Sequence, residues 1–317
     1  MAKLSRPRRG SLQYWPRKKA SKILPSVNWS GIALKNNKNL LGFIGYKVGM
    51  VSVYVKDNTP DSMTKNKRIV IPATIIECPP IKIFSVRFFK NNKLITEVLS
   101  NNISKELKRK VKLPKNTTKK IDNVKDYDDI SIIVYSNVAK TKIKKSPDIA
   151  EICLGGNLED KISFVKSHLD KEIKINEVFD KLQLVDIRAV TKGKGIQGAV
   201  KRYGIGLRQH KSEKGVRRSG SLGPWHPARV TFRVPQAGQT GFFTRVNYNS
   251  KVLDIANIDE KNINFLQGFK HFGKIASDFL VISGSVQGPP KRALILTHPL
   301  RPTKKQSKKH YEYIGLR

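Results

Sequence analysis

The sequence has 317 residues, of which 38% are apolar, and it carries 62 Lys and Arg against 24 Asp and Glu, a formal net charge of +38. This length allows about two domains and one modest core, and so much uncompensated charge on a compact protein calls for a polyanion as partner. Cys78 and Cys153 lack the spacing of a disulfide framework or a zinc knuckle, and no apolar run approaches the ~20 residues of a membrane-spanning helix, so we expect neither a secreted nor a membrane-spanning protein.

Residues 1–38 contain ten cations and no acid, and their prolines and glycine interrupt any helical period. This composition predicts an extended basic N-terminal arm. A merely solvated tail is the alternative, but it would not need side chains as bulky as Trp15 and Trp29, and aromatic rings in such an arm are able to stack on nucleobases. The residues of the arm that we predict to bind nucleic acid are Arg6, Arg8, Arg9, Tyr14, Trp15, Arg17, Lys18 and Lys19.

Two β-rich stretches follow. Residues 39–89 contain short apolar runs at 40–44, 69–76 and 81–89, which are rich in Ile, Val and Phe and predict strands of a small barrel or sandwich. The pattern resumes in residues 184–290. The alternation at 184–190 predicts a half-buried strand, and further strands are predicted at 230–234, 242–248, 251–255, 279–283 and 293–296.

The intervening region, residues 90–183, differs in charge. Between residues 120 and 186, thirteen acids oppose eleven lysines, so most of this surface does not face a polyanion. Apolar residues at 162, 165 and 169 and at 175, 178, 179 and 182 keep helical spacing, and residues 130–135 are typical of a strand. We therefore predict an α/β insertion that splits the β core. Residues 291–317, with eight cations and one acid, predict a basic C-terminal tail.

The segment 188–229 carries eleven cations against the single acid Glu213, and its eight glycines prevent it from packing as an element by itself. Tyr203 and Trp225 lie among these charges, where they are able to stack on bases while Lys and Arg neutralise phosphates. We therefore predict an RNA-binding loop at 192–240. In this loop, the following strand and the tail, the predicted RNA-binding residues are Lys192, Lys194, Lys201, Arg202, Tyr203, Arg208, His210, Lys211, Lys214, Arg217, Arg218, Trp225, His226, Arg229, Gln239, Arg245, Lys291, Arg292, Arg301, Lys304 and Lys305.

Gly193, Gly195 and Gly198 also match the spacing of a dinucleotide-binding turn, which leaves an RNA-modifying enzyme with a nucleotide cofactor as an alternative. That turn must open a helix of about a dozen residues, whereas Gly204 and Gly206 interrupt any such helix almost at once. The glycines are better explained by a backbone that approaches RNA phosphates closely. We therefore predict no cofactor.

His210 and His226 lie in the same basic segment, but no nucleophile and no orienting carboxylate accompany them. We predict no catalytic residue, no metal site and no enzymatic activity. Pro224 and Pro227 fix φ on either side of Trp225 and hold its indole outward. A Trp225 buried as a core plug is the alternative, which the surrounding charge disfavours.

Several motifs are specific to one family. They are Pro7-Arg8-Arg9-Gly10-Ser11-Leu12 with Pro16-Arg17-Lys18, Gly42-Phe43-Ile44-Gly45-Tyr46-Lys47-Val48-Gly49-Met50, Val190-Thr191-Lys192-Gly193-Lys194-Gly195 with Gln197-Gly198, Gly223-Pro224-Trp225-His226-Pro227, and Ala237-Gly238-Gln239-Thr240-Gly241. Over nearly the whole chain they resemble the universal large-subunit ribosomal protein L-three family in its archaeal and eukaryotic form.

This resemblance implies an α+β fold: a split β-barrel of the translation-factor type on the outside of the large ribosomal subunit, a surface α/β insertion, and long basic non-globular extensions that enter large-subunit rRNA. It implies a structural, cytoplasmic role in subunit assembly and near the corridor for aminoacyl-tRNA, with Trp225 at the loop tip towards the peptidyl transferase centre. Implied partners are this rRNA, neighbouring ribosomal proteins and, indirectly, translation factors and tRNA, with no membrane and no small-molecule substrate. Glu213 stands where eukaryotic relatives carry a modified histidine, so we do not predict that modification.

Overall fold

A computed structural model describes residues 11–33, 40–114, 119, 121–124 and 126–317. Its strands are β1 Gly42–Asp57, β2 Arg68–Glu77, β3 Ile81–Lys90, β4 Lys93–Leu99, β5 Asp129–Ser136, β6 Ile149–Cys153, β7 Leu184–Val190, β8 Ile196–Gln197, β9 Gly238–Gln239, β10 Thr244–Ala256, β11 Phe279–Ser283, β12 Ala293–Thr297 and β13 Tyr311–Leu316. The helices are α1 Ser30–Ala33, α2 Leu158–His168, α3 Ala199–Tyr203 and α4 Lys304–Ser307, with short 3₁₀ turns at Lys105–Arg109, Ile121–Asn123 and Ile175–Glu177. The fold is thus mostly β with few helices, as predicted.

The described residues form two compact units. The larger, which we call the sheet unit, comprises Lys22–Val190 and Arg245–Arg317; the smaller, which we call the loop unit, comprises residues 11–21 and Thr191–Thr244. None of the helices in the described part of the chain has the length and apolar composition that crossing a bilayer requires.

The sheet unit is built around β1. Seven strands follow the order β12-β7-β10-β11-β2-β1-β13, and an additional pairing of β12 with β1 links six of them into a hydrogen-bonded ring. The first part of β1 pairs with β12 and its last part pairs with β13. Strand β2 pairs with β1 along most of the length of β1. Many of the buried side chains on the ring strands are β-branched or aromatic, among them the fully buried Phe43, Ile75 and Phe279, and such residues favour a pleated, buried surface.

A second, antiparallel sheet has the order β4-β3-β5-β6. Helix α2 packs Phe164 and Val165 into a hydrophobic cluster that also contains part of the ring, including Phe43. Buried Tyr46 of β1 joins the two sheets, since its hydroxyl bonds Ser136 Oγ at 2.6 Å and donates to Asp148 Oδ2 at 2.8 Å. The insertion therefore shares its core with the ring.

Several boundaries differ from the predicted ones. Strand β3 was assigned to the barrel at 81–89 but lies in the second sheet, because apolar runs do not encode which strands pair. The helix expected at 175–182 is a single 3₁₀ turn, and Leu182 has a positive φ of 60° that a helix cannot contain. The predicted strands at 242–248 and 251–255 are one strand, β10.

The predicted basic tail at 291–317 contains β12, which was predicted at 293–296, and also a strand that was not predicted. This strand, β13, pairs with β1 through Val53↔Leu316 and its neighbours. The apolar side chains of Tyr311, Tyr313 and Leu316 are all partly buried against the core, but they do not alternate strictly because the register with β1 shifts between Tyr313 and Gly315. In β7, the predicted half-buried strand, all seven residues are buried. The buried Asp186 carboxylate accepts hydrogen bonds from the Asn249 and Leu300 N–H groups at 2.8 and 3.0 Å, which satisfies its polar atoms.

Candidate nucleic-acid interface

The loop unit concentrates positive charge on a segment with little regular structure. Residues 204–237 contain neither helix nor strand, in agreement with the predicted loop. Across residues 11–21 and 191–244 there are fourteen Lys and Arg and one acid, Glu213. The side chains from the predicted set that are exposed here are Tyr14, Lys18, Lys19, Lys192, Lys194, Lys201, His210, Lys211, Lys214, Arg217, Arg218, Trp225, His226 and Arg229.

The two ends of the loop are held together by backbone pairing. Thr191 N–H donates to Phe243 O, Lys194 N–H to Thr240 O and Thr240 N–H to Gly195 O, each at 2.9 Å. Gly241 has φ +71°, and a Cβ there would lie 2.1 Å from Lys192 O, so only glycine allows this close approach. Gly241 thus allows residues 191–195 and 240–243 to approach closely. We call this paired segment the neck of the basic loop.

The basic arm packs against this neck. Ala20 N–H donates to Phe242 O at 2.9 Å. The Arg17 guanidinium lies 4.9 Å from the Trp15 ring centre and 4.6 Å from that of Tyr203, distances at which a cation is attracted to an aromatic face. Trp15 also meets Phe232 edge-on, with ring centres 5.2 Å apart. Three predicted RNA-binding residues therefore contact one another within the protein.

Tyr203 lies in an environment that its sequence position did not predict. Only 6% of the residue is exposed, and Arg17 and Arg202 both lie over its ring, so the ring packs against cations of its own unit. Trp15 is half-buried and is held in the same way. Sequence composition identifies an aromatic ring among cations, but it cannot tell whether the cations belong to its own fold.

Two arginines and a glutamine direct hydrogen bonds at the protein backbone. Arg202 Nε donates to Gln239 O and its Nη1 to Gln236 O, both at 3.1 Å. Arg208 Nη2 donates to Ser219 O at 2.7 Å. The Gln239 amide donates to Gly241 O at 3.0 Å. These side chains shape the loop, and the guanidinium groups retain further N–H donors for an anion because each carries five.

The tip of the loop displays Trp225. The residue is 87% exposed, so the core-plug alternative does not hold. A cavity of about 420 Å³ lies beside it, formed by residues 222–225 and 227–230. His226 and Arg229 are exposed next to the indole. An exposed indole, a cation and an apolar recess are the groups that stack on a base and neutralise its phosphate.

The remaining predicted residues lie elsewhere or are not described. Lys291, Arg301, Lys304 and Lys305 are exposed on the sheet unit, Arg245 and Arg292 are half-buried there, and burial lowers the pKa of Arg292. Arg6, Arg8 and Arg9 lie outside the described residues.

One cation of the loop unit was not predicted to bind RNA. Arg233 is exposed in the loop unit, but residues 230–234 were predicted to be a strand. They form a turn instead, in which Val234 N–H donates to Thr231 O.

The glycine spacing at 193–198 does not lead into a nucleotide-binding helix. Helix α3 has only five residues and ends at Gly204, which adopts the left-handed conformation. A dinucleotide fold needs a longer helix and a parallel strand after it, and β8 pairs instead with the antiparallel β9. Among the described residues, no group of three or more His, Cys, Asp or Glu is placed to hold a metal ion.

A family model described as Ribosomal protein L3 matches residues 1–316. The chain belongs to this family. It is 39% identical over 314 residues to the large ribosomal subunit protein uL3 of Methanocaldococcus jannaschii, covering 94% of this chain and 92% of that protein. It is similarly 39% identical to uL3 of Methanobrevibacter smithii, covering 96% and 95% of the two chains, and 38% identical to uL3 of Archaeoglobus fulgidus, covering 95% and 94%.

Membership of the ribosomal protein L3 family agrees with the resemblance identified from the motifs. In this family member the ratio of cations to acids differs between the two units. The second sheet pairs many of its lysines and arginines with acids, as in Arg87 with Glu97 and Glu151 and in Lys140 with Glu172. In the loop unit fourteen cations share one acid, which makes it the strongest candidate for contact with a polyanion.

Proposed function

We propose that this member of the ribosomal protein L3 family is a structural constituent of the large ribosomal subunit that binds large-subunit rRNA through its loop unit. The observation that carries the proposal is the excess of positive charge in the loop unit. Its described residues include fourteen Lys and Arg but only one acid, and residues 204–237 form neither helix nor strand. Such a segment repels itself in isolation and is stabilised when its Lys and Arg neutralise RNA phosphates and release the counterions condensed on the RNA. The names of its relatives, which are large-subunit proteins, support the same conclusion.

The ring of six strands supports the proposal of a β-barrel of the translation-factor type. In this proposal the barrel lies on the outside of the subunit, with the second sheet at the surface. The basic arm and loop then extend into the RNA, and the loop directs Trp225 towards the peptidyl transferase centre. In this position the protein supports subunit assembly and influences aminoacyl-tRNA entry. The peptidyl transfer reaction belongs to the RNA, and the protein contributes no catalytic group.

The partners that follow are large-subunit rRNA, neighbouring large-subunit proteins and, indirectly, tRNA and translation factors. The corresponding location is the cytoplasmic ribosome. The alternative of a cofactor-dependent RNA-modifying enzyme loses its main support with the short α3 helix. We therefore propose no small-molecule substrate and no membrane partner.

A salt titration with matched charge removal tests the proposal. We compare Lys214→Gln, Arg217→Gln and Arg218→Gln together, in the loop unit, with Lys105→Gln, Lys108→Gln and Arg109→Gln together, on an exposed turn of the sheet unit. For binding to single-stranded or duplex RNA, the slope of log K against log salt should fall in magnitude by about 2–3 in the loop variant, since each lost phosphate contact contributes ~0.7–0.9. The sheet variant should keep the slope of the unaltered chain.

Equal changes in the two triple variants would show that the charge acts only through its total amount. A slope near zero for the unaltered chain would contradict RNA binding altogether. Crosslinking of residues 192–240 to rRNA in intact particles gives an independent measurement of the same contact.

A further inference from the structure

An open cavity of about 620 Å³ lies at the surface of the loop unit, between residues 198–222 and 235–237. It is separate from the recess beside Trp225, although Leu222 borders both. Cavities that hold small ligands have volumes of roughly 300–1,000 Å³. This cavity is therefore large enough to receive a single nucleotide.

The walls of the cavity are fixed by hydrogen bonds within the loop. Arg208 binds the chain twice, because its backbone N–H donates to Val216 O at 3.0 Å and its guanidinium donates to Ser219 O at 2.7 Å. The Ser219 hydroxyl then donates to Pro235 O at 2.5 Å. The two sides of the cavity are thus tied together in a segment that has no helix or strand.

One part of the lining is cationic. Arg208, Lys214, Arg217 and Arg218 all border the cavity, and the last three are exposed. None of the described residues that line it is acidic. Four cations without a carboxylate form a site for a phosphate group.

The lining also contains apolar side chains, among them Ala199, Leu222 and Pro235. A sugar–phosphate backbone is polar and gains little from such a surface, whereas the face of a nucleobase is apolar enough to be stabilised by it. Bases in a duplex are stacked and paired, so only a base that has left the stack is able to contact these apolar side chains. None of the described residues in the lining is aromatic.

We propose that this cavity receives one unpaired nucleotide turned out of the large-subunit RNA, with its base against the apolar residues and its phosphate on the four cations. The inference rests on the proposed function, since it specifies which form of RNA the loop unit recognises. It predicts a preference for a bulged nucleotide over a fully paired stem, which charge alone does not provide.

Two glycines allow the cavity to be filled without changing charge. Gly220 lines the cavity, and Gly206 lies in the same loop outside its lining. At both positions a Cβ would meet no atom within 4 Å, and neither residue has a positive φ. Gly220→Phe therefore places a ring on the lining of the cavity without strain and keeps all four cations, and Gly206→Phe is its matched control.

The test uses the full-length chain and two RNA hairpins that carry one 2-aminopurine, either as a single-nucleotide bulge or paired within the stem. The unaltered chain and Gly206→Phe should bind the bulged hairpin about tenfold more tightly than the paired one, because the paired base must first be extruded from the stem. They should also increase the fluorescence of the bulged 2-aminopurine, since the base leaves its stacked neighbours for a cavity without aromatic rings. Gly220→Phe should lose the preference and the fluorescence increase while retaining its affinity for the paired hairpin.

Binding of both hairpins with equal affinity by the unaltered chain would overturn this inference and leave the proposed function standing. An undiminished preference in Gly220→Phe would overturn it as well, because the cavity would then be irrelevant. Absence of binding to either hairpin would contradict both proposals. Displacement of the bulged hairpin by 1 mM adenosine 5′-monophosphate would identify a site for free nucleotides and reject RNA as the source.

Discussion

Glu77 lies at the end of β2 and is fully buried. Its Oε1 accepts hydrogen bonds from Ala276 N–H at 2.8 Å and from Ser277 N–H and Oγ, both at 3.1 Å. These donors favour the ionised form, but burial outweighs them and raises the pKa of Glu77 to about 7 from an ordinary value of 4.5. The carboxyl group therefore anchors the segment before β11 in a state that depends on pH.

This pKa gives a first prediction. Because the folded chain binds the proton of Glu77 more tightly than the unfolded chain, the resulting stability is fully present below pH ~4.5 and is lost as the pH rises through about 7. The free energy of unfolding should increase by about 3 kcal/mol from pH 8 to pH 5 relative to Glu77→Gln, which cannot ionise. Urea unfolding at each pH measures the difference.

Glu312→Gln serves as the control for this experiment, since Glu312 is exposed on β13 and should show the same pH dependence as the unaltered chain. If Glu77→Gln and the unaltered chain remain parallel between pH 5 and pH 8, the carboxyl group does not titrate in that interval.

Trp225 gives a second prediction at this scale. An indole that is 87% exposed contributes little to the fold, so Trp225→Ala should change the free energy of unfolding by no more than about 0.5 kcal/mol. If the tip reaches the peptidyl transferase centre, the same variant should slow aminoacyl-tRNA accommodation in ribosomes that carry it. Pre-steady-state kinetics with fluorescent tRNA measures this rate.

A suitable comparison is Leu266→Ala, which removes a large apolar side chain that is 99% exposed on the sheet unit. It should alter neither stability nor accommodation. Unchanged accommodation in Trp225→Ala ribosomes would remove the proposed role of the tip.

Strand β1 shows how single glycines control an element. A Cβ on Gly42 would lie 2.7 Å from Trp29 Cη2 and 2.8 Å from Leu296 O, and the latter is backbone of the paired strand β12 and cannot move aside. Gly49, further along β1, has no atom within 4 Å of the same position. Gly42 is therefore required by close packing, whereas Gly49 is not. The sequence alone does not distinguish these two cases.

This difference gives a third prediction. Gly42→Ala should lower the free energy of unfolding by about 1–3 kcal/mol through overpacking. Gly49→Ala should be neutral or raise it slightly, by up to about 1 kcal/mol, because alanine restricts the unfolded chain. Urea unfolding of the two variants under the same conditions measures both effects, and equal destabilisation would show that the close contact at Gly42 relaxes at no cost.

At the scale of elements, the sequence predicted those strands whose pattern is local. The strands at 184–190, 279–283 and 293–296 and the helix around residues 162–169 are confirmed. Pairing could not be predicted, because β3 has the same apolar composition as β2 and yet belongs to the other sheet. Strand β13 was missed because its apolar residues do not alternate strictly, and residues 230–234 alternate but form a turn.

For the whole molecule, the distribution of charge was predictable and the environment of each charge was not. Composition alone located the basic loop and arm, since counting cations requires no knowledge of contacts. The distinction between Arg217, which is exposed, and Arg202, which bonds three backbone carbonyls, depends on loop geometry that has no periodic signature. The cavity beside Arg208 also depends on this loop geometry, so it could not be predicted from the sequence.

The pairing of β1 with β12 has a consequence for how the protein is made. Strand β1 begins at residue 42 and its partner at residue 293, so at 5–20 residues per second the nascent chain waits roughly 10–50 s before the ring is able to close. During that time an apolar strand edge is open to pairing with other chains, which is the condition that leads to aggregation. A chaperone that covers β1 until translation reaches β12 would therefore protect the newborn protein at its most vulnerable stage.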